Sequence, residues 1–207
     1  MSTPDEVKPS RATPGPAERL AQAALELFAQ RGVEATTVGD IESAAGFAPR
    51  SGALYKYFAS KNDLLAAGVE RHLATVKDFG DELALRPLGD IRSELTLIGY
   101  WLLAELENER TMTHLLEREG DRHPELRDRL REGISDQGYQ IGSALTARWR
   151  PDLAERECDA MSVIVVGALI NYRRSGWTFG RPPLDLDEDT LISTWADLCM
   201  ARFESGS

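Results

Sequence analysis

Apolar residues recur at helical spacing along most of the chain. From Pro16 to about Gln30, Leu20, Ala24, Leu27 and Phe28 fall on one stripe, with Ala21 and Leu25 beside it. That is the period of an amphipathic helix. Pro16 suits the first helical position and Gly32 the stop. A second stripe, Val38, Ile41 and Ala45, starts behind Thr37, a capping residue, and ends at Gly46. Phe47 plugs the corner, and a second short helix is expected to run to about Tyr55. Beyond Tyr57 and Phe58, Ser60 with Asp63 makes a capping-box pattern. It opens a helix over 61–79 with Leu65, Val69, Leu73 and Val76 inward.

Pro87 and Gly89 mark a break. Ile91, Leu95, Ile98 and Leu102 then predict a helix to about Glu109, and a shorter one spans Met112 to Glu119. Pro124 opens a long helix to Trp149 on Leu126, Leu130, Ile134, Ile141 and Leu145, with Gly133 and Gly138 weakening its middle. Pro151 opens the next, to about 175. Its stretch Met161 to Ile170 is apolar nearly all round, which predicts burial on more than one side. After the loop of Gly176, Gly180, Pro182 and Pro183, Asp187 can cap a last helix over 187–203, with Leu191, Ile192, Trp195, Leu198 and Cys199 inward. There is no strand alternation and no repeat. The pattern predicts an all-α protein of about nine helices: a tail over 1–13, a three-helix domain over 14–60 and a larger helical domain over 61–207.

Composition narrows the class. The 207 residues suit one large or two small domains, and 42% hydrophobic content supplies a core. The tail is polar and Pro-rich, reads as disordered and lacks the apolar run of a signal peptide. No run approaches the length of a membrane span. Cys158 and Cys199 are too few for a disulfide framework and read as reduced core thiols, which points to a cytoplasmic protein.

The net charge of −10 argues at first against nucleic acid. Its distribution removes the objection. Residues 11–75 balance seven Arg/Lys against seven Asp/Glu, whereas residues 76–207 carry 16 against 25. The acidity belongs to the C-terminal part, and the N-terminal part keeps cations to present locally.

The stretch Thr36 to Phe58, TTVGDIESAAGFAPRSGALYKYF, has the arrangement that a DNA-reading helix-turn-helix requires. One helix braces, the next enters the major groove, and polar groups at the ends grip phosphates. Thr37 and the free N–H groups behind it suit a phosphate. The hydroxyls of Tyr55 and Tyr57 do likewise, Tyr55 with its ring inward, and Lys61 begins the next helix as a point charge. Arg50 can bond a guanine in two places and is the choice for base readout; Lys56 meets backbone. Gly52 and Ala53 allow close approach, Ala53 to a thymine methyl. Phe58 reads as core, and Arg11 in the tail could reach a minor groove.

With ALELFAQRG before it and GALYKYFASKNDLL at its end, this stretch resembles the tetracycline-repressor (TetR) family of bacterial transcriptional regulators, over roughly residues 16–70. By position, Thr37, Tyr55, Tyr57 and Lys61 are similar to that family's phosphate-contacting residues. One departure stands out. Gly46 and Tyr55 are nine positions apart, two more than is usual in the family, and Ala48 replaces the usual capping Ser. Either Pro49 takes the first helical position and the recognition helix gains half a turn, with Arg50 and Ser51 at its N-terminal end, or Pro49-Arg50 lengthens the turn and Ser51 caps. The first is preferred.

The resemblance implies a homodimer on a palindromic operator in double-stranded DNA, paired through the last two helices. It also implies a small-molecule effector bound in the C-terminal domain. Candidate wall residues are Trp101, His114, Tyr139, Trp149, Asn171, Tyr172 and Trp177, each of which equally suits core packing. Trp101 and Glu105, one turn apart, could hold a cation. His114 and Glu117 share a face, but no third ligand is fixed and Gly120 intervenes before His123, so no metal is expected. There is no nucleophile elbow, phosphate loop or Cys-x-x-Cys, so neither enzyme activity nor a cofactor is expected. The leading expectation is a ligand-responsive repressor. An activator, or a regulator that needs its ligand to bind DNA, fits the same residues. A helical enzyme or adaptor that has lost DNA binding draws only on the acidity and the longer turn.

Overall fold

The computed structural model describes residues 14–84 and 89–204. The expected tail, Arg11, and the break at Pro87 lie outside the described residues. The chain divides into two compact units, Met1–Gly68 and Val69–Ser207. The division falls two turns into the helix expected to begin the second domain, rather than at its start.

The first unit holds α1 (Pro16–Arg31), α2 (Val38–Ala44), a single 3-10 turn (Leu54–Lys56) and the first turns of α3 (Lys61–Ala84). The α1 stripe is buried as its spacing requires, with Leu20, Ala24 and Phe28 inaccessible. Ile41, Leu54 and Leu64 are inaccessible as well. At the start of α1 the Gly15 N–H donates to Glu18 Oε2 at 2.8 Å. At the start of α2 Thr37 and Asp40 form a reciprocal capping box. The Ser60–Asp63 box opens α3. That helix runs to Ala84, past the expected end near 79.

The second unit holds α4 (Ile91–Asn108), α5 (Arg110–Glu119), α6 (Pro124–Leu130), a π-helical turn (Arg131–Asp136), α7 (Gln137–Trp149), α8 (Glu155–Phe179), a 3-10 turn (Pro183–Asp185) and α9 (Glu188–Glu204). Asp90 caps α4 and Asp187 caps α9. The core joins Leu95 and Leu103 of α4 to Leu169 and Tyr172 of α8 and to Ile192, Trp195, Cys199 and Phe203 of α9. Two polar groups inside it are paired. Trp195 Nε1 donates to the Val165 carbonyl at 2.9 Å, and the Tyr172 hydroxyl donates to the Leu186 carbonyl at 2.7 Å. Arg150 donates to the carbonyls of Arg202 and Phe203, closing the C-terminal end of α9 where a cation is favoured.

Four expectations are corrected. The second short helix at 49–55 is absent: residues 48–53 form a turn, and only the 3-10 turn follows. Helix α8 begins at Glu155, after a turn at 151–153. Its stretch 161–170 is not buried on all sides: Val163 and Ile164 are exposed, and so is Leu198, expected inward on α9. The long helix over 124–149 is helical throughout, as expected, and its weak middle around Gly133 is wound as the π turn.

Candidate nucleic-acid interface and effector cavity

The turn between α2 and the 3-10 turn is the part of the first unit that periodicity described least well. Gly46 leaves α2 with φ 80°, a left-handed conformation that a side chain opposes. Its N–H donates to the Ser43 carbonyl, and the Phe47 N–H donates to the Glu42 carbonyl. The Arg19 guanidinium lies over the Phe47 ring at 4.8 Å. Arg50 then adopts φ 58° and Gly52 φ 73°. An α-helix starting at Pro49 cannot pass through two left-handed residues. The added residues therefore lengthen the turn, which overturns the preferred reading. Ser51 Oγ accepts from the Ala53 N–H at 3.3 Å, the local role of a turn-capping Ser.

Arg50, Ser51, Tyr55, Lys56 and Tyr57 are exposed together along this turn, and Gly52 is half-buried. Ala53 is buried and so is not presented to a thymine methyl. Tyr55 is 63% exposed, ring included, which corrects the inward placement of its ring; Phe58 is half-buried. The Thr37 hydroxyl accepts from the Asp40 N–H and donates to the Asp40 carboxylate at 2.8 Å. Hydrogen bonds from the Thr37 side chain and backbone, with Arg31 at 3.1 Å, hold the Asp40 carboxyl below its usual range. Lys61 differs from a free point charge. Its ammonium donates to the Val33 carbonyl at 2.6 Å and to the Thr36 carbonyl at 3.0 Å, tying α3 to the loop before α2.

Glu42 escaped the sequence reading. It is 0% exposed, and its carboxyl oxygens accept from the Ser51 N–H at 2.9 Å and the Leu54 N–H at 3.1 Å. A signal was present: Glu42 sits four residues after Val38 and three before Ala45, a polar residue on the apolar stripe of α2.

In the second unit a cavity of about 460 Å³ is lined by α4, α5, α6, the π turn, α7 and α8. Its wall is largely apolar and includes eleven Leu, Ile, Val and Met residues. Trp101, Glu105, Tyr139 and Trp177 line it, with Arg127, Arg131 and Arg174 among the polar lining groups. Glu105 accepts from Asn108 at 3.0 Å. Four other sequence candidates are not among its lining residues. His114 sits 6.2 Å from the Trp177 ring and 3.5 Å from Glu117. Trp149 packs on Phe203 and donates to Glu94 at 3.0 Å. Tyr172 is core, and Asn171 is exposed. The wall also contains Glu109, buried and bonded to His72 Nε2 of α3 at 2.7 Å. The two are 37 residues apart, and nothing local links them.

A short brace helix, a turn that exposes Arg, Ser and Tyr side chains, and a capped helix behind it make up a helix-turn-helix unit. Residues 20–67 match the model of the bacterial regulatory proteins of the tetR family. This N-terminal unit is thus similar to that family. An uncharacterized HTH-type transcriptional regulator of Bacillus subtilis (strain 168), YvdT, is 38% identical over 66 residues, 32% of this chain and 33% of that protein. The match thus spans about a third of the curated relative. The whole fold is similar to solved structures. One is a putative TetR-family transcriptional regulator from Mesorhizobium loti MAFF303099, with TM-score 0.67 and 18% identity, covering 92% of this chain and 95% of that one. Another is FadR from Bacillus subtilis, solved in complex with stearoyl-CoA, with TM-score 0.62 and 18% identity, covering 87% and 95%. Among the described residues no helix is long and apolar enough to cross a membrane.

Proposed function

We propose that this regulator is a small-molecule-responsive repressor that acts as a cytoplasmic homodimer on a palindromic operator. The observation that carries the reading is the pairing, in one chain, of a helix-turn-helix unit with an apolar cavity of about 460 Å³ in a separate unit. A cavity of that size suits a small molecule. The fold can house such a molecule, since FadR of Bacillus subtilis was solved with stearoyl-CoA.

In this mechanism Arg50 reads a base edge. Ser51, Tyr55, Lys56 and Tyr57 meet backbone, and Thr37 meets a phosphate through the N-terminal amides of α2. Two copies place their reading turns in successive major grooves, about 34 Å apart. The dimer contact uses the exposed apolar residues of the last two long helices, Val163 and Ile164 on α8 and Leu198 on α9. Isolated monomers rarely leave such a patch in water. The effector, a largely apolar molecule held among Trp101, Glu105, Tyr139 and Trp177, prefers the form that does not bind DNA. Without that differential affinity nothing shifts.

The test is a DNA shift titration of the full chain on the region upstream of its own gene, against scrambled DNA of equal length, at several salt concentrations. Preferential, salt-dependent binding supports the reading, and equal binding of both DNAs sinks it. Ile164→Asp, examined by sedimentation, should give monomers with reduced operator affinity. A dimer undisturbed by that change would move the interface elsewhere.

A further inference from the structure

We infer that Glu42 is a positioning residue for DNA recognition: its buried carboxyl group fixes the reading turn that takes the place of a full recognition helix. This rests on the DNA-binding reading above.

A recognition helix normally carries its own scaffold, because each backbone N–H is bonded within the helix. Here the segment from Ala48 to Ala53 has no such ladder. Its internal bonds are few: the Ser51 N–H to the Ala48 carbonyl at 3.2 Å and the Ala53 N–H to Ser51 Oγ at 3.3 Å. Two consecutive stretches must nevertheless be held, the turn bearing Arg50 and Ser51 and the 3-10 turn after it bearing Tyr55, Lys56 and Tyr57. The Glu42 carboxyl group does both. One oxygen takes the Ser51 N–H and the other the Leu54 N–H, so a single rigid group spans the start and end of the turn. A carboxyl group with no exposure is costly to bury unless its oxygens are hydrogen-bonded, and bonds to a charged acceptor are the strong ones. Glu42 projects from the two-turn α2, whose own start is fixed by the Thr37–Asp40 box. Arg50, left-handed at φ 58°, has its Cγ near Gly39 of the same helix, at 3.4 Å from where a Cβ would stand. The reading turn is thus anchored on α2, and Glu42 is the anchor that bonds its backbone.

The experiment compares wild type with Glu42→Gln and with Ile41→Val, a core change in the same helix that alters stability and leaves the Glu42 carboxyl group in place. Gln keeps one acceptor oxygen and presents an NH2 group to the other amide, so one of the two backbone bonds is lost. Three readings are taken on the full chain: thermal stability, amide hydrogen exchange at Ser51 and Leu54, and the ratio of affinities for the upstream region and for scrambled DNA. Glu42→Gln should speed exchange at one or both amides about tenfold, and lower the affinity ratio by about tenfold. Ile41→Val should leave the ratio unchanged at an equal loss of stability. A ratio that falls equally in both variants, or amides that exchange as in wild type in Glu42→Gln, overturns the role of Glu42 alone. If wild type itself fails to distinguish the two DNAs, the DNA-binding reading falls, and the inference with it.

Discussion

Leu73 of α3 fills the space left by Gly133 in the π turn, so closely that a Cβ at Gly133 would stand 2.7 Å from Leu73 Cδ2. Any side chain there must displace one of the two. Beside this contact, Arg129 and Glu70 pair at 2.7 and 2.6 Å. The π turn therefore has one side on α3 and contributes Arg131 and Ile134 to the cavity wall. Inserted residues of this kind recur at functional sites.

Gly133→Ala should destabilise the second unit by about 1–3 kcal/mol, the usual result of overpacking, despite the higher helix propensity of Ala. Thermal unfolding measures it. An unchanged or raised Tm would mean that Leu73 moves aside freely.

Arg50→Gly should raise stability and reduce discrimination at the same time. Glycine relieves a left-handed conformation that costs another residue about 1 kcal/mol. It also removes a base contact worth about 1–3 kcal/mol at one base pair. A panel of single-base operator variants, read beside Tm, separates the two. Equal affinity losses on every variant would show that Arg50 meets backbone alone.

Lys61→Met should cost the first unit about 2 kcal/mol, because the carbonyls of Val33 and Thr36 lose a charged donor. Operator and scrambled DNA should weaken alike. A normal Tm with weakened DNA binding would instead return Lys61 to the phosphates.

Burial pushes the Cys199 thiol up to about 11. An unfolded thiol titrates near 8.5, so the folded form holds the proton over the range between. The stability this contributes is full below about pH 8.5 and is lost as pH rises through about 11. Native protein at about pH 8 should resist alkylation at Cys199. Cys199→Ala should narrow its stability gap to wild type as pH climbs from about 8 to 10. A gap that widens would contradict the direction.

Much of the fold was legible because its signals are local. The α1 stripe, the Ser60 box, the Thr37 and Asp187 caps and the inward residues of α9 other than Leu198 each depend on residues within a turn or two of one another. The cavity was partly legible: Trp101 and Glu105 lie one turn apart on α4, so periodicity places them on one face. Trp149 and Tyr172 look no different in sequence. Only their partners, Glu94 with Phe203 and the Leu186 carbonyl, put them in the core.

The helix-turn-helix spacing was legible in the stretch Thr36 to Phe58, and the similarity to the tetR family in that stretch and its flanks. The conformation of its second half was not. Pro49 at a helix start and Pro49 in a longer turn use the same residues. The choice went to the turn through left-handed φ values at Arg50 and Gly52 and through two amides bonded to a carboxyl group 9 and 12 residues away. Likewise no local pattern announces that His72 meets Glu109 or that Leu73 needs Gly133. Caps and stripes are properties of a few consecutive residues. A buried acceptor, a close approach and a cavity exist only once distant segments are packed together.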